Sequence, residues 1–514
     1  MMRLSARVMR AMRWDILGST AVAALTFLTT VWLARALAPE TYGLLALLLA
    51  TVSLGQLLAN GGVRTALLRF VPEAVKRGGP AAAVTMIVDG LWLRTAILVA
   101  VSVPLVFLPR LTAGALGRPA LAPYMPWMPL LIALPMYADV LAAALLSVFR
   151  QRTLRLSEVA NKLVYAACLL AVPLWADAIH GVILAWTLGW LAAIGWLAVD
   201  AGRVGFLARA ARRRHHDLRR LVRFVGTAYG LSLIAFVLGR ELDLLLLARF
   251  GVGDDMIAQY TIAFAFVTLV YRLPLLPIAG GFDQPLIAGL YAQHDWPALR
   301  RLFRAYFEYI CLFIVPIMAG GAVLGSDLVR EIYGVPYGSA PTLIVALLVA
   351  LGLAKLAGIT GPFMLGTDRE TAMLRIRSSF AAVNVLAALA AIPIWGATGA
   401  VLATSLTMIG LTAAEAVFVD RYLGAGYPRR FLVSIAIGTA AMAAVVAGLR
   451  SLAGEEPGLI PLLGIVAAGA GVYLALLLWL RPVDHRQAEI LAGAGAPSLA
   501  RIVARISQPA AASS

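Results

Sequence analysis

The chain has 514 residues, of which 61% are hydrophobic and only 13% charged, and its formal net charge is +17. A soluble protein of this size carries about a quarter charged residues, so a mean hydropathy of +0.88 excludes the soluble globular classes and points to a polytopic membrane protein. The basic balance does not indicate nucleic acid, because the arginines are spread over the polar stretches between apolar runs, where they face anionic headgroups.

Residues 1–13 are basic and lead into an apolar run over 15–34. Ala36-Leu37-Ala38 imitates a signal-peptidase site, but the run exceeds a usual signal core and Pro39 follows, so a first transmembrane helix is favoured. Further runs lie at 43–60, 84–108, 126–149, 156–176, 179–199, 224–248, 256–281, 304–325, 341–365, 377–395, 399–419, 431–449 and 459–480. Each approaches the ~20 residues that a helix needs to cross the hydrocarbon core. A closed barrel would instead show ten-residue alternation, so an all-α fold of about fourteen transmembrane helices is expected.

An even number of crossings returns the C-terminus to the side of Met1. With Met1 in the cytoplasm, most of the 43 Lys and Arg fall in cytoplasmic segments, the bias that sets orientation. Arg35, Arg110, Arg118, Arg249, Arg330 and Arg450 fall outside, while Arg94, Lys162, Arg240, Arg272 and Lys355 lie within apolar runs.

The longest polar break, Asp200–Arg223, is rich in arginine and follows the sixth helix. The expected organisation is an N-terminal lobe (1–200), a basic cytoplasmic linker (201–223), a C-terminal lobe (224–420), two further helices (421–480) and a cytoplasmic tail (481–514). Leu33-Ala34-Arg35 with Tyr42 is echoed by Leu247-Ala248-Arg249 with Tyr260. Six is even, so two six-helix lobes would insert as parallel pseudo-repeats and hold a substrate at their interface near mid-membrane. The longest exterior loops, near Arg110–Met125 and Ser326–Ala340, are too short to form a catalytic domain.

Cys168 and Cys311 both lie in apolar runs, and His180, His215, His216, His294 and His485 lack the spacing that aligns two imidazoles on a helix. Nor is there a nucleotide-binding G-x-x-x-x-G-K-[ST] loop. No catalytic residue, metal site or cofactor is therefore expected, and the protein reads as a non-enzyme.

Charges inside the bilayer need a partner, water or a function. Asp89, Lys162, Glu308 and Glu415 lie near the cytoplasmic ends of their runs and are expected to snorkel to the interface. Arg94, Asp139, Arg240, Arg272 and Lys355 lie deeper, and Asp243 sits three residues from Arg240, on one helical face with it. These six could be internal ion pairs that hold helices together. The surplus of cations favours the alternative, a water-filled cavity suited to an anionic substrate; an exporter of cationic drugs would more naturally line its cavity with carboxylates.

Several segments look familiar. Leu33-Ala-Arg-Ala-Leu-Ala-Pro-Glu-Thr-Tyr42-Gly43 and Asn60-Gly-Gly-Val-Arg-Thr-Ala-Leu-Leu-Arg-Phe70 resemble the first exterior turn and the end of the second helix of the polysaccharide-transport (Wzx-type flippase) family, within the multidrug/oligosaccharidyl-lipid/polysaccharide exporter superfamily. Asn60 departs from the pattern, standing where an acidic residue is common. Leu242-Asp243 with Ala248-Arg249-Phe250, Ile332-Tyr-Gly-Val-Pro-Tyr-Gly338, Gly366-Thr-Asp-Arg369, Asn384 and Gly396-Ala-Thr-Gly399 are similar to later parts of the same family.

The resemblance implies a two-lobed bundle whose central cavity alternately faces each side of a bacterial inner membrane. It implies a cargo of polyprenyl-pyrophosphate-linked oligosaccharide, such as an O-antigen, capsule or exopolysaccharide unit. The partners implied are that lipid-linked substrate, membrane lipids, polysaccharide polymerase or assembly proteins, and a coupling ion, H⁺ or Na⁺. An ion-coupled drug exporter of the same superfamily and a membrane glycan polymerase or transferase are the competing readings.

Overall fold

In the computed structural model every regular element among the described residues is helical. The structure describes residues 2–60, 62–148, 150–206, 229–275, 283–334, 337, 341–424 and 426–482. Most of the linker over 201–223, nearly all of the tail, and His215, His216 and His485 lie outside the described residues.

Eleven described helices are long and apolar enough to cross a membrane, against the fourteen or so expected. The difference has local causes. The helix Glu370–Leu423 runs for 54 residues, or ~81 Å at 1.5 Å per residue, against a hydrocarbon core of ~30 Å. It is in fact two helices joined at Gly396, whose φ of 57° and ψ of −131° are open essentially to glycine alone. The second of them presses against the first at Gly399, where an added Cβ would stand 2.3 Å from the Ala391 carbonyl oxygen. The run expected over 224–248 is interrupted: 229–237 is helical, Gly239 is extended, and a new helix runs Arg240–Arg249. The run expected over 256–281 is described as Asp254–Leu275.

The second helix does not end in a loop. Beyond Gly62, which takes a φ of 66°, the chain is helical again from Val63 through a 45-residue stretch to Phe107. Gly79, with a φ of 69° and Pro80 behind it, bends that stretch. The part expected as a cytoplasmic loop is thus a second helical piece. Its Val63, Leu67, Phe70, Val71 and Ala74 recur every three or four residues and pack with Met86, Ile87, Ala142, Leu145 and Leu197.

The chain divides by contact into two compact units, Met1–Ala258 and Gln259–Ser514, so the division falls within the helix Asp254–Leu275. In the first unit, Val63–Phe107 packs on Met128–Leu146, and Gln151–Leu169 packs on both Met2–Ala36 and Ala178–Val204. The last of these starts at Asp177, whose carboxylate accepts from Ile179 N (2.9 Å), Tyr124 OH (2.8 Å) and His180 Nδ1 (2.9 Å). Burial pushes this carboxyl up, but those hydrogen bonds outweigh it and hold it below its ordinary value.

In the second unit, Pro341–Ala357 packs on Glu370–Leu423, and Trp296–Tyr333 packs on Arg429–Leu452 and Leu459–Leu480. Its core joins Cys311, Leu312, Phe431, Ile435, Met442 and Tyr473, with Tyr473 OH donating to Leu312 O at 2.9 Å. Large apolar side chains also cover the outside: Trp92 is 71% exposed and Ile460 85%. In water such a surface would drive association; in hydrocarbon it is the favoured one.

Candidate functional site

In the first unit the structure brings two of the expected residues together. Arg94, 2% exposed, donates through Nη2 to Asp139 Oδ2 at 3.0 Å and to Asn60 Oδ1 at 2.9 Å, and through Nη1 to Met136 O at 2.7 Å. Asp139 also accepts from Arg64 Nη1 at its other oxygen. Arg64 is half exposed, while Arg94 Nε is buried with no hydrogen-bond partner among the described residues.

Two guanidinium groups thus share one carboxylate, which leaves a positive surplus whose accessible end is Arg64. Arg64 is not among the residues expected from the sequence, because it falls between the apolar runs 43–60 and 84–108. The apolar stripe from Val63 to Ala74 was the signal that could have found it.

The second pair sits on the short helix Arg240–Arg249. Arg240 Nε faces Glu241 Oε1 at 3.3 Å, with both side chains partly exposed. Asp243 is wholly buried in the first turn of this helix, where the positive end of the helix dipole favours a carboxylate.

The remaining two residues fall in the second unit. Arg272 is exposed near the end of Asp254–Leu275, and Lys355 is half-buried in the last turn of Pro341–Ala357. The two cations lie within electrostatic range of each other. Among the described residues neither forms an ion pair with a carboxylate, which leaves two like charges within range of each other.

Glu415 departs from the snorkelling expected of it. It is fully buried, accepting from Arg377 Nε at 2.7 Å and Nη2 at 3.3 Å and from the Thr360 hydroxyl. Glu308 is likewise buried, whereas Asp89 is exposed. A bidentate guanidinium supplies inside the protein what water would have supplied at the interface.

Three of the cations share a setting. Arg64 lies two residues after the left-handed Gly62, Arg240 directly after the extended Gly239, and Lys355 three residues before Gly358, which separates Pro341–Ala357 from the short helix Thr360–Gly366. A chain break inside an apolar span frees backbone groups that must meet protein or water, and such breaks mark binding sites in transport proteins. No group of three or more His, Cys, Asp or Glu able to hold a metal occurs among the described residues.

Residues 8–280 match the family model described as polysaccharide biosynthesis protein. A comparison with curated proteins gave no significant match. Among solved structures, the lipid II flippase MurJ in an inward closed conformation superposes with a TM-score of 0.69 at 15% identity, covering 90% of this chain and 98% of that one. An inward-facing multidrug resistance transporter of the MATE family, in the MOP superfamily, superposes at 0.57 with 12% identity, covering 80% and 95%. A MOP superfamily transporter from Pyrococcus furiosus, in which reversed polarity of the binding pocket is taken to suggest a different function, superposes at 0.56 with 14% identity, covering 81% and 96%. At these identities the likeness establishes a shared fold.

Proposed function

The chain belongs to the polysaccharide biosynthesis protein family, and from that premise we propose that it is a flippase moving polyprenyl-pyrophosphate-linked oligosaccharide across a bacterial inner membrane by alternating access. It works as a transporter rather than an enzyme, with both termini in the cytoplasm, and H⁺ or Na⁺ is the coupling ion. The observation that carries this reading is the pair Arg272 and Lys355, two cations within electrostatic range of each other, neither in an ion pair with a carboxylate among the described residues. A pyrophosphate or an acidic sugar supplies the missing negative charge, and a cationic drug does not. In the first unit, Arg94, Asp139, Arg240 and Asp243 are proposed as further substrate-facing charges: Arg94 and Asp139 brace Arg64, and Asp243 lies in the first turn of the helix that Arg240 opens. The fold shared with a lipid II flippase supports a lipid-linked cargo.

The test is complementation of a deletion strain that has lost surface glycan. Arg272→Gln and Lys355→Gln, each present in the membrane at wild-type abundance, are expected to reduce glycan export by about tenfold or more, the worth of a hydrogen bond to a charged group. Normal export by the double variant would remove the anion site. A deletion strain that keeps its glycan and gains drug sensitivity would replace the flippase reading with that of a drug exporter.

A further inference from the structure

The two ends of the second unit differ in how their arginines are compensated. At one end Arg450 is bidentate on Asp327, at 2.6 and 3.1 Å, and Arg330 lies 3.8 Å from Asp327 and 3.6 Å from Glu456. Carboxylates there neutralise the guanidinium groups. The opposite end, where Trp296–Tyr333 begins, Glu370–Leu423 ends and Arg429–Leu452 begins, is built differently.

Its centre is the turn that follows Leu423. Arg300 Nε donates to Leu423 O at 2.7 Å. Gly424, with a φ of 62°, brings the chain so close that an added Cβ would meet the Arg300 guanidinium at 3.6 Å, and a Cβ on Gly426 would meet Arg304 at 3.2 Å. Arg369 lies 4.5 Å over the ring of Tyr422, which in turn stacks edge-on with Trp296.

Arg429 and Arg430 are exposed and open the next helix, at the positive end of its dipole, so their own element offsets nothing. Of the nearby acids, Asp420 accepts from Gly426 N and Asp295 from Ala298 N, while Asp368 and Glu370 flank Arg369 in the chain without forming an ion pair with it among the described residues. Among the described residues, none of Arg300, Arg369, Arg429 and Arg430 forms an ion pair.

We propose that this turn is a binding site for an anionic phospholipid, with the phosphate held by Arg369, Arg429 and Arg430. Arginine among Tyr and Trp at the end of apolar helices is the composition of a headgroup-level surface. Directly beyond Arg430, Val433 and Ile437 follow at three and seven residues on the same helical face, 58% and 49% exposed, which gives the acyl chains an apolar track. That continuity of charge with an apolar face fits a lipid better than a soluble anion. The site rests on the reading of these helices as membrane spans and not on which cargo is carried.

The test titrates purified protein in zwitterionic detergent with phosphatidylglycerol, phosphatidylcholine and glycerol phosphate, read by native mass spectrometry. Phosphatidylglycerol is expected to bind more tightly than phosphatidylcholine. A variant combining Arg369→Gln, Arg429→Gln and Arg430→Gln is expected to lose that preference by on the order of 100-fold, at about fivefold for each arginine near the surface. Arg300 is left in place because it caps Leu423.

Should the triple variant melt early, the double variant Arg429→Gln/Arg430→Gln carries the test, with a loss of roughly 25-fold. Equal binding of the two lipids, or an undiminished preference in the variants, overturns the proposal; so does displacement by equimolar glycerol phosphate, which would mark a soluble-anion site. Glycan export is scored in the same strains. Normal export alongside a failed titration overturns the lipid site alone, and a deletion strain without an export defect overturns the flippase reading alone.

Discussion

A guanidinium placed midway along an apolar helix costs about 2.5–3.5 kcal/mol on the insertion scale, and Arg94 meets that cost with three acceptors: Asp139, Asn60 and Met136 O. Arg94→Met would leave Asp139 held by Arg64 alone. We expect it to lower unfolding stability in detergent by about 3–5 kcal/mol, because one partner of a buried pair is lost. Arg64→Gln, at the half-exposed side of the same carboxylate, is expected to cost about 1 kcal/mol or less. Equal losses in denaturant titrations would show that burial does not rank the two arginines. The sequence placed Arg94 and Asp139 inside the bilayer, but hydropathy cannot say which charges meet. Asn60 is the instructive case: it departs from the family pattern, and its neutral amide oxygen accepts from the same Nη2 that faces Asp139.

Glycines decide the elements. Gly62, Gly239, Gly358 and Gly396 each separate two helical pieces, Gly239 and Gly358 inside an apolar run that hydropathy reads as featureless, and three of the breaks lie within three residues of a candidate cation. Gly396→Ala is expected to cost about 1–3 kcal/mol through backbone strain, and Gly399→Ala a comparable amount because its Cβ would meet the Ala391 carbonyl oxygen. Thermal melts of both variants against Gly464→Ala, whose added Cβ meets nothing within 4 Å, check this; a control as unstable as the other two would refute it. The stripe from Val63 to Ala74 falls between the runs 43–60 and 84–108, yet it has helical period, and it packs against Met86, Ala142 and Leu197. The sequence repeats the paired glycines of Gly61-Gly62 at Gly280-Gly281, between the helices Asp254–Leu275 and Asp283–Ala292.

For the whole molecule, the arginine bias makes an orientation that can be checked directly. In a background lacking Cys168 and Cys311, Ser451→Cys is expected to react with an impermeant maleimide on intact cells, and Glu370→Cys only after the membrane that holds the protein is opened. The reverse pattern would invert the topology and place the arginine-rich turn after Leu423 outside. The amino-acid sequence by itself determined the helical membrane class, the approximate position of the spans and a family that the match over residues 8–280 bears out, because bilayer thickness and backbone hydrogen bonding constrain every span independently of its neighbours. Only the tertiary structure decided that Asp139 belongs to Arg94 and Arg64, that Glu415 is buried on Arg377, and that Lys355 comes within electrostatic range of Arg272. Those pairings join residues tens of positions apart through helix packing, which the periodicity of a single segment does not encode.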